Sequence, residues 1–500
     1  MRMKQMAAKK AKSTKKAKVL PFLPFLSPFA SNAEPLPSSA SSRFGGSAKC
    51  AAIFLLSAFV AFILQPRIGV RDADAYDYIL GAYSIQAGNG YHDLSGNPLN
   101  HLPPGYSLIL SFFPSPLQGA LFLNYLSFGA AVVLIYRLAR KGGKWRESSA
   151  IGLALALGFI FLRRHATNAA PDILTYALFL LALFPYYKDS SRLRMISYLI
   201  WGMLIPVKLI AVIFIPAAVL ARYAGEPALV IRREISELSI AFASWLLFLA
   251  ITLSYNSRTI QSAIPDSHIP PSHHYGSFFF FSAGSQFLTS IPRTFLSNWY
   301  GSLGAAPAFI PFCVVLLVAL ACLSSLRFQA GRMTRHAVLL TLLSVLLQFG
   351  SQQVAGARLT GYGFIFLLLA LYPARWHRLW ALYGLLGVAL SAFNAATQNS
   401  LGANDPRYEK LAHESLKIEK IEMFPGKVAT NSFHVLDIHA RVATNYVTST
   451  GQLGDAEYFF RVSLPAYDAI ATTVSPVEMP GEGWCEAASL TGAKLFRKCP

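Results

Sequence analysis

The run RDADAYDYILGAYSIQAGNGYHDLSGNPLNHLPPGYSLILSFF, residues 71–113, decides how the rest of the chain is read. Three acids (Asp72, Asp74, Asp77) and four tyrosines fall within residues 72–91, and the run closes on His101-Leu102-Pro103-Pro104-Gly105-Tyr106. It directly follows the first long apolar stretch. Carboxylates at the mouth of a membrane span cost free energy unless they bind something or do chemistry. The loop therefore reads as an active site, and the remaining apolar runs as its scaffold.

The chain has 500 residues, is 54% hydrophobic and has a mean hydropathy of +0.42. Apolar runs recur from about residue 50 to 394, the pattern of a polytopic membrane protein. The formal charge of +20 would suit a nucleic-acid binder, but its distribution argues against one. Residues 1–49 hold ten Lys/Arg against the single acid Glu34, whereas residues 395–500 hold ten Lys/Arg against twelve acids. The excess sits in the tail and in short loops, where positive charge orients spans. The five cysteines show no metal-ligand spacing.

Residues 1–47, rich in Lys, Ser and Pro, read as a disordered cytoplasmic tail. Residues 50–64 form a first span running outward, which leaves the acidic loop, 65–116, on the outer face. Residues 101–116, bracketed by prolines, are too short to cross and read as a half-dipping helix. Spans follow at 117–138, 149–162 and 173–186, with an outer loop at 163–172. The run 195–220 is ambiguous. As one span it would place Arg222, Arg232 and Arg233 outside; as two short helices meeting near Pro206 it returns inside, with Lys208 at the outer turn. The second reading agrees with the later charges. Further spans fall at 238–255, 302–323, 336–348, 359–372 and 379–393, about eleven crossings in all. The inner loops hold 16 Lys/Arg and the outer loops 8.

The expected fold is thus an all-α polytopic membrane domain, 48–394, followed by a small extracytoplasmic α/β or β-rich domain at 395–500. Short alternating stretches at 427–430, 442–447 and 458–462 carry the strand signal in that last part. Cys485 and Cys499 could pair there as a disulfide, which suits an oxidising compartment; two free thiols are the alternative. His268 and His273-His274, in the outer segment 256–300, read as plain surface residues.

Asp72, Asp74 and Asp172 are outer-facing acids beside spans, and Lys208 and Arg358 are outer-facing cations. That pairing suits a hydroxyl nucleophile and a phosphate leaving group. A carboxylate takes the hydroxyl proton, and a cation or an acid-held metal stabilises the departing phosphate. Each residue also has a structural explanation. Asp72 or Asp77 could cap the following helix, Asp172 could favour a helix dipole, and Lys208 and Arg358 could snorkel.

The loop resembles the first outer loop of the GT-C class of membrane glycosyltransferases, which includes protein O-mannosyltransferases and the lipid A aminoarabinose transferases. The shared register is Asp74, Tyr78, Ala82, Gly88-Asn89-Gly90-Tyr91 and Pro103-Pro104-Gly105-Tyr106; Ala75 and Ser107 depart from it, where Glu and Pro are frequent. The resemblance implies inverting transfer of one sugar from a polyprenyl-phosphate donor to an acceptor hydroxyl on the outer side of the membrane. Asp74 would be the base, with Asp72 completing an Asp-x-Asp signature. Lys208 and Arg358 would hold the donor phosphate, and Asp172 would position the acceptor or a metal. Tyr78, His101 and Tyr106 are grouped with the substrate-binding residues. If a divalent cation such as Mg or Mn takes part, Asp74 and Asp172 are its candidate ligands. The partners implied are the lipid-linked donor, a glycan, lipid or protein acceptor, and membrane lipid, with no nucleic acid. The implied location is a bacterial inner membrane. A transporter or flippase for a lipid-linked or anionic substrate is the main rival, and a non-catalytic assembly protein the other.

Overall fold

The computed structural model describes residues 42–63, 73–92, 99, 102–141, 147–223, 234–262, 332–350, 428–430, 444–446, 455–463 and 479–499. It also describes single positions within 362–392 and positions 410, 411, 414 and 453. Asp72, His101, Arg358 and the histidines of 256–300 lie outside the described residues, as do residues 302–323.

The described first part of the chain is helical. The elements are α1 (Ser42–Ile63), α2 (Ala73–Gln86), α3 (Gly105–Leu110), α4 (Pro116–Lys141) and α5 (Glu147–Leu157). A five-residue π segment (Gly158–Leu162) joins α5 to α6 (Arg163–Ala166), followed by α7 (Asp172–Tyr186) and α8 (Ser191–Met203). A 3-10 turn (Leu209–Ile213) leads into α9 (Phe214–Tyr223), then come α10 (Ile235–Ser262) and α11 (Arg332–Gly350). Among the described residues two stretches, Pro116–Arg140 and Ile235–Thr252, are long and apolar enough to cross a membrane, judged by length and composition. Large apolar side chains stay uncovered on α1 (Leu55, Leu56, Phe59, Phe62, Ile63) and α10 (Phe242, Leu246, Leu247, Ile251). Two neighbouring turns of bare Leu and Phe suit hydrocarbon rather than water. With the apolar runs of the sequence, they make the chain an integral membrane protein.

The core lies where α4, α5, α7, α8, α9 and α11 meet. Phe128, Phe159, Phe179, Trp201, Phe214 and Phe366 pack there with alanines at 131, 154, 156, 182, 217 and 218. The small residues let helix backbones approach, as membrane helix packing requires. Gly129 allows the same approach of α1 to α4: a Cβ there would stand 2.8 Å from the Phe54 carbonyl oxygen.

The run 195–220 is broken, as its charges suggested. Helix α8 ends at Met203, a turn carries Pro206, Lys208 is extended, and α9 runs back. The return is fixed by ion pairs. Glu237 of α10 is fully buried and binds both Arg194 of α8 (Nε to Oε1, 2.8 Å) and Arg222 of α9. Glu234 also pairs with both arginines, Tyr198 donates to Glu237 at 3.3 Å, and Tyr223 donates to Glu234 at 2.8 Å. Arg194 and Arg222 can share one carboxylate only if they sit at the same end of the hairpin.

In the C-terminal part, strands β1 (Val428–Thr430), β2 (Thr444–Tyr446) and β3 (Tyr458–Val462) fall on the three alternating stretches of the sequence. They pair in parallel. Strands β4 (Trp484–Leu490) and β5 (Ala493–Lys498) form an antiparallel hairpin, giving the order β2-β1-β3-β5-β4. The sequence reading missed this hairpin. Cys485 and Cys499 are disulfide-bonded, across the open end of the hairpin. Glu414 accepts from the Thr491 backbone N–H (2.7 Å) and hydroxyl (3.0 Å) at its closed end.

Removing one partner of a buried ion pair leaves an uncompensated charge, so Glu237→Gln should cost about 3–5 kcal/mol of stability. Thermal unfolding of the purified protein in detergent measures this. An unchanged midpoint would mean that the two arginines do not depend on Glu237.

Candidate functional site

The site is built outward from α2. Asp74 lies in its first turn, half-buried, and Tyr78 follows one helical turn later on the same face. The helix is stopped by Gly88, whose N–H bonds the Ile85 carbonyl at 3.0 Å. Gly88 (φ +77) and Gly90 (φ +80) both adopt left-handed backbone, which explains the Gly-x-Gly spacing: side chains disfavour that region. The chain then turns back and lays the Tyr91 ring on Gly81, where a Cβ would meet ring carbon at 2.2 Å.

The Pro-Pro-Gly-Tyr stretch opens α3. Tyr106 is fully buried and meets the Tyr78 ring edge-on, with centroids 5.3 Å apart. Ser107 departs from the resembled motif, yet its hydroxyl donates to the Tyr78 carbonyl at 2.8 Å and so locks α3 to α2. Gly105 N–H bonds the Pro206 carbonyl at 2.7 Å. A Cβ on Gly105 would lie 2.5 Å from that same oxygen, so glycine is what lets the loop reach the hairpin turn carrying Lys208.

On the opposite side, the loop after α6 brings up Asp172 at the start of α7. Asp172 has no solvent exposure and Lys208 is 7% exposed. Lys208 Nζ donates to Asp172 Oδ1 at 2.5 Å. These two charges face each other and not water. His165 Nδ1 lies 4.0 Å from the same carboxylate oxygen. The His165 ring stacks on Tyr176, and Tyr176 stacks on Tyr362 with centroids 3.9 Å apart. The Tyr362 hydroxyl reaches the Asp172 backbone carbonyl at 3.4 Å.

One apolar cluster joins the two halves: Ala75, Tyr78 and Ile79 of α2, Tyr106 and Leu110 of α3, Ala169 and Ala170 before Asp172, and Val207 before Lys208. Burial, with the negative charge of Asp172 as a second cause, holds the Tyr106 phenol above its usual range. It stays protonated and donates, over a long 3.5 Å, to Asn124 Oδ1 of α4. Asn124 in turn donates to the Asn168 carbonyl.

The structure thus puts Tyr78 and Tyr106 in one cluster, supplied by the elements that carry Asp74, Asp172 and Lys208, and pairs the last two directly. Sequence reasoning missed His165, Asn124, Tyr176 and Tyr362. A polar Asn in the middle of an apolar helix was a readable signal for Asn124. His165 adjoins Arg163-Arg164 and was masked by a plain loop reading.

Fold and site together define a helical membrane protein with a buried charged cluster beside an acid-bearing loop. No protein-family model and no curated protein matches the chain. Among solved structures, it is similar to ArnT from Cupriavidus metallidurans in the apo state (14% identity, TM-score 0.45) and bound to undecaprenyl phosphate (14%, TM-score 0.43). Both alignments cover 91% of this chain and 98% of that one. It is also similar to the arabinofuranosyltransferase AftD from Mycobacteria (11%, TM-score 0.48), over 91% of this chain and 40% of that one. Likenesses at this level leave the assignment to the chain's own residues.

Overpacking a tight contact costs about 1–3 kcal/mol, so Gly105→Ala should lower the unfolding midpoint in detergent, whereas Ala at the exposed Gly481 should not. Equal midpoints would mean the loop does not depend on its contact with Pro206.

Proposed function

We propose that this protein is a GT-C-class glycosyltransferase that moves one sugar from a polyprenyl-phosphate donor to an acceptor hydroxyl at the outer membrane face. The observation that carries the reading is the packing of the Asp74 helix, the Pro-Pro-Gly-Tyr turn and the segments bearing the Asp172–Lys208 pair into one cluster, from segments spread over residues 73–208.

The chemistry is a single displacement. The Asp74 carboxylate takes the acceptor hydroxyl proton as oxygen attacks the anomeric carbon from the face opposite the phosphate. The new carbon–oxygen bond forms as the bond to phosphate oxygen breaks, and the sugar inverts. The polyprenyl phosphate leaves with the electron pair, and the Lys208 ammonium offsets its charge, together with Arg358. A lipid-anchored donor accounts for placing such a site beside spans. Asp72 stands next to Asp74 in sequence and is the alternative base; His101 belongs with the donor-side residues. The tail (1–47), the membrane part (48–394) and the C-terminal part (395–500) divide as cytoplasmic, catalytic and extracytoplasmic, and the host membrane is a bacterial inner membrane. The disulfide supports an oxidising outer side for the last part.

A divalent cation does not fit the described residues. No three His, Cys, Asp or Glu side chains gather among them, and Oδ1 of Asp172 is held by an ammonium. The positive charge beside Asp172 is Lys208 itself.

Wild type and Asp74→Asn, purified and incubated with host membranes carrying radiolabelled polyprenyl-phosphate sugars, test the assignment. Loss of a general base lowers rate by roughly 10²–10⁴-fold, so label should reach acceptor only with wild type. Equal transfer by both proteins would move the base to Asp72. No transfer from any sugar donor would remove the transferase reading.

A further inference from the structure

A phosphate ligand should offer net positive charge, yet the Lys208 ammonium is already neutralised. Asp172 sits against it at 2.5 Å, out of water. Given the phosphate role of Lys208 stated above, on which this inference rests, we propose that Asp172 is a built-in competitor for Lys208. The donor phosphate binds by taking the ammonium from Asp172, and Asp172 recaptures it as the polyprenyl phosphate product leaves.

The geometry says which partner moves. Asp172 has a short side chain at the start of α7, and its backbone carbonyl is engaged by Tyr362 at 3.4 Å. Lys208 is an extended residue (φ −153, ψ 120) between the α8 turn and the 3-10 helix. Its backbone is held at both ends, N–H to Leu204 O at 2.8 Å and carbonyl to Ala211 N at 3.0 Å. What can swing is the four-carbon side chain. The carboxylate left behind is not stranded: it lies at a helix N-terminus, where negative charge is favoured, and His165 Nδ1 stands 4.0 Å away. An anion too weak to match a buried carboxylate cannot displace it, so the pair also discriminates against neutral and weakly charged lipids.

Binding of farnesyl phosphate, a short polyprenyl phosphate without sugar, to detergent-purified wild type, Asp172→Asn, Lys208→Met and the double variant tests this. Farnesol and inorganic phosphate serve as separate arms. If the ammonium is available only about a tenth of the time in wild type, Asp172→Asn binds farnesyl phosphate about tenfold tighter. Its sugar-transfer turnover should fall, because product leaves slowly. Lys208→Met should bind at least tenfold more weakly, and the double variant should match it. Farnesol should bind all four alike, and inorganic phosphate should follow the same order more weakly. If Lys208→Met binds weakly but Asp172→Asn is no tighter than wild type, the competitor role is overturned and the phosphate role stands. If Lys208→Met binds like wild type, the phosphate role itself falls. Should Asp172→Asn not be recovered folded, the charge-free double variant should be, and extraction in farnesyl phosphate should rescue the single variant; failure of that rescue overturns the proposal.

Discussion

An ammonium and a carboxylate are held together out of water, Lys208 against Asp172, where the start of α7 meets the turn of the α8–α9 hairpin. Neither charge is tolerable there alone. The pair therefore constrains where α7 begins and where the α8–α9 hairpin turns. Gly105 then brings the Pro-Pro-Gly-Tyr loop onto that turn, and Tyr106 and Ser107 bring α2 with Asp74 onto the loop. Each step is a close contact that allows little freedom, which is what a site needs if reacting groups are to keep their spacing.

The other end of the same hairpin carries the second charged cluster, with Glu237 and Glu234 between Arg194 and Arg222. The two clusters do different things. In the arginine cluster each arginine pairs with both carboxylates, which also accept from the Tyr198 and Tyr223 hydroxyls, and it fixes the return of the hairpin. The lysine pair lies at the turn of the hairpin, which Gly105 brings against the Pro-Pro-Gly-Tyr loop.

The glycines and tyrosines of residues 78–106 gain a physical meaning from this arrangement. The Gly-x-Gly spacing marks two left-handed backbone positions that end α2, and Gly105 marks a contact with no room for a methyl group. The departure at Ser107 is a substitution with its own bond to Tyr78, so the loop keeps its attachment without a proline there.

Much of this was legible in order along the chain. Apolar runs and basic loops marked the chain as a membrane protein, because bilayer thickness and loop charge act locally. The Gly-x-Gly turn after α2 could be read from spacing, and the broken run near Pro206 from the charges that would otherwise be misplaced. Residues 428–430, 444–446 and 458–462 alternate as strands do. The β4–β5 hairpin was missed because its half-buried strands lack that alternation. What sequence could not supply were the partners. Lys208 and Asp172 each had a plain local explanation, as did His165 in its loop. Their pairing across 36 residues, and the hydrogen bond that joins Tyr362 to the Asp172 carbonyl across 190, exist only once the helices are packed. Local chemistry is written in neighbouring residues, but which buried charges neutralise each other is decided by the packing that removes water from around them.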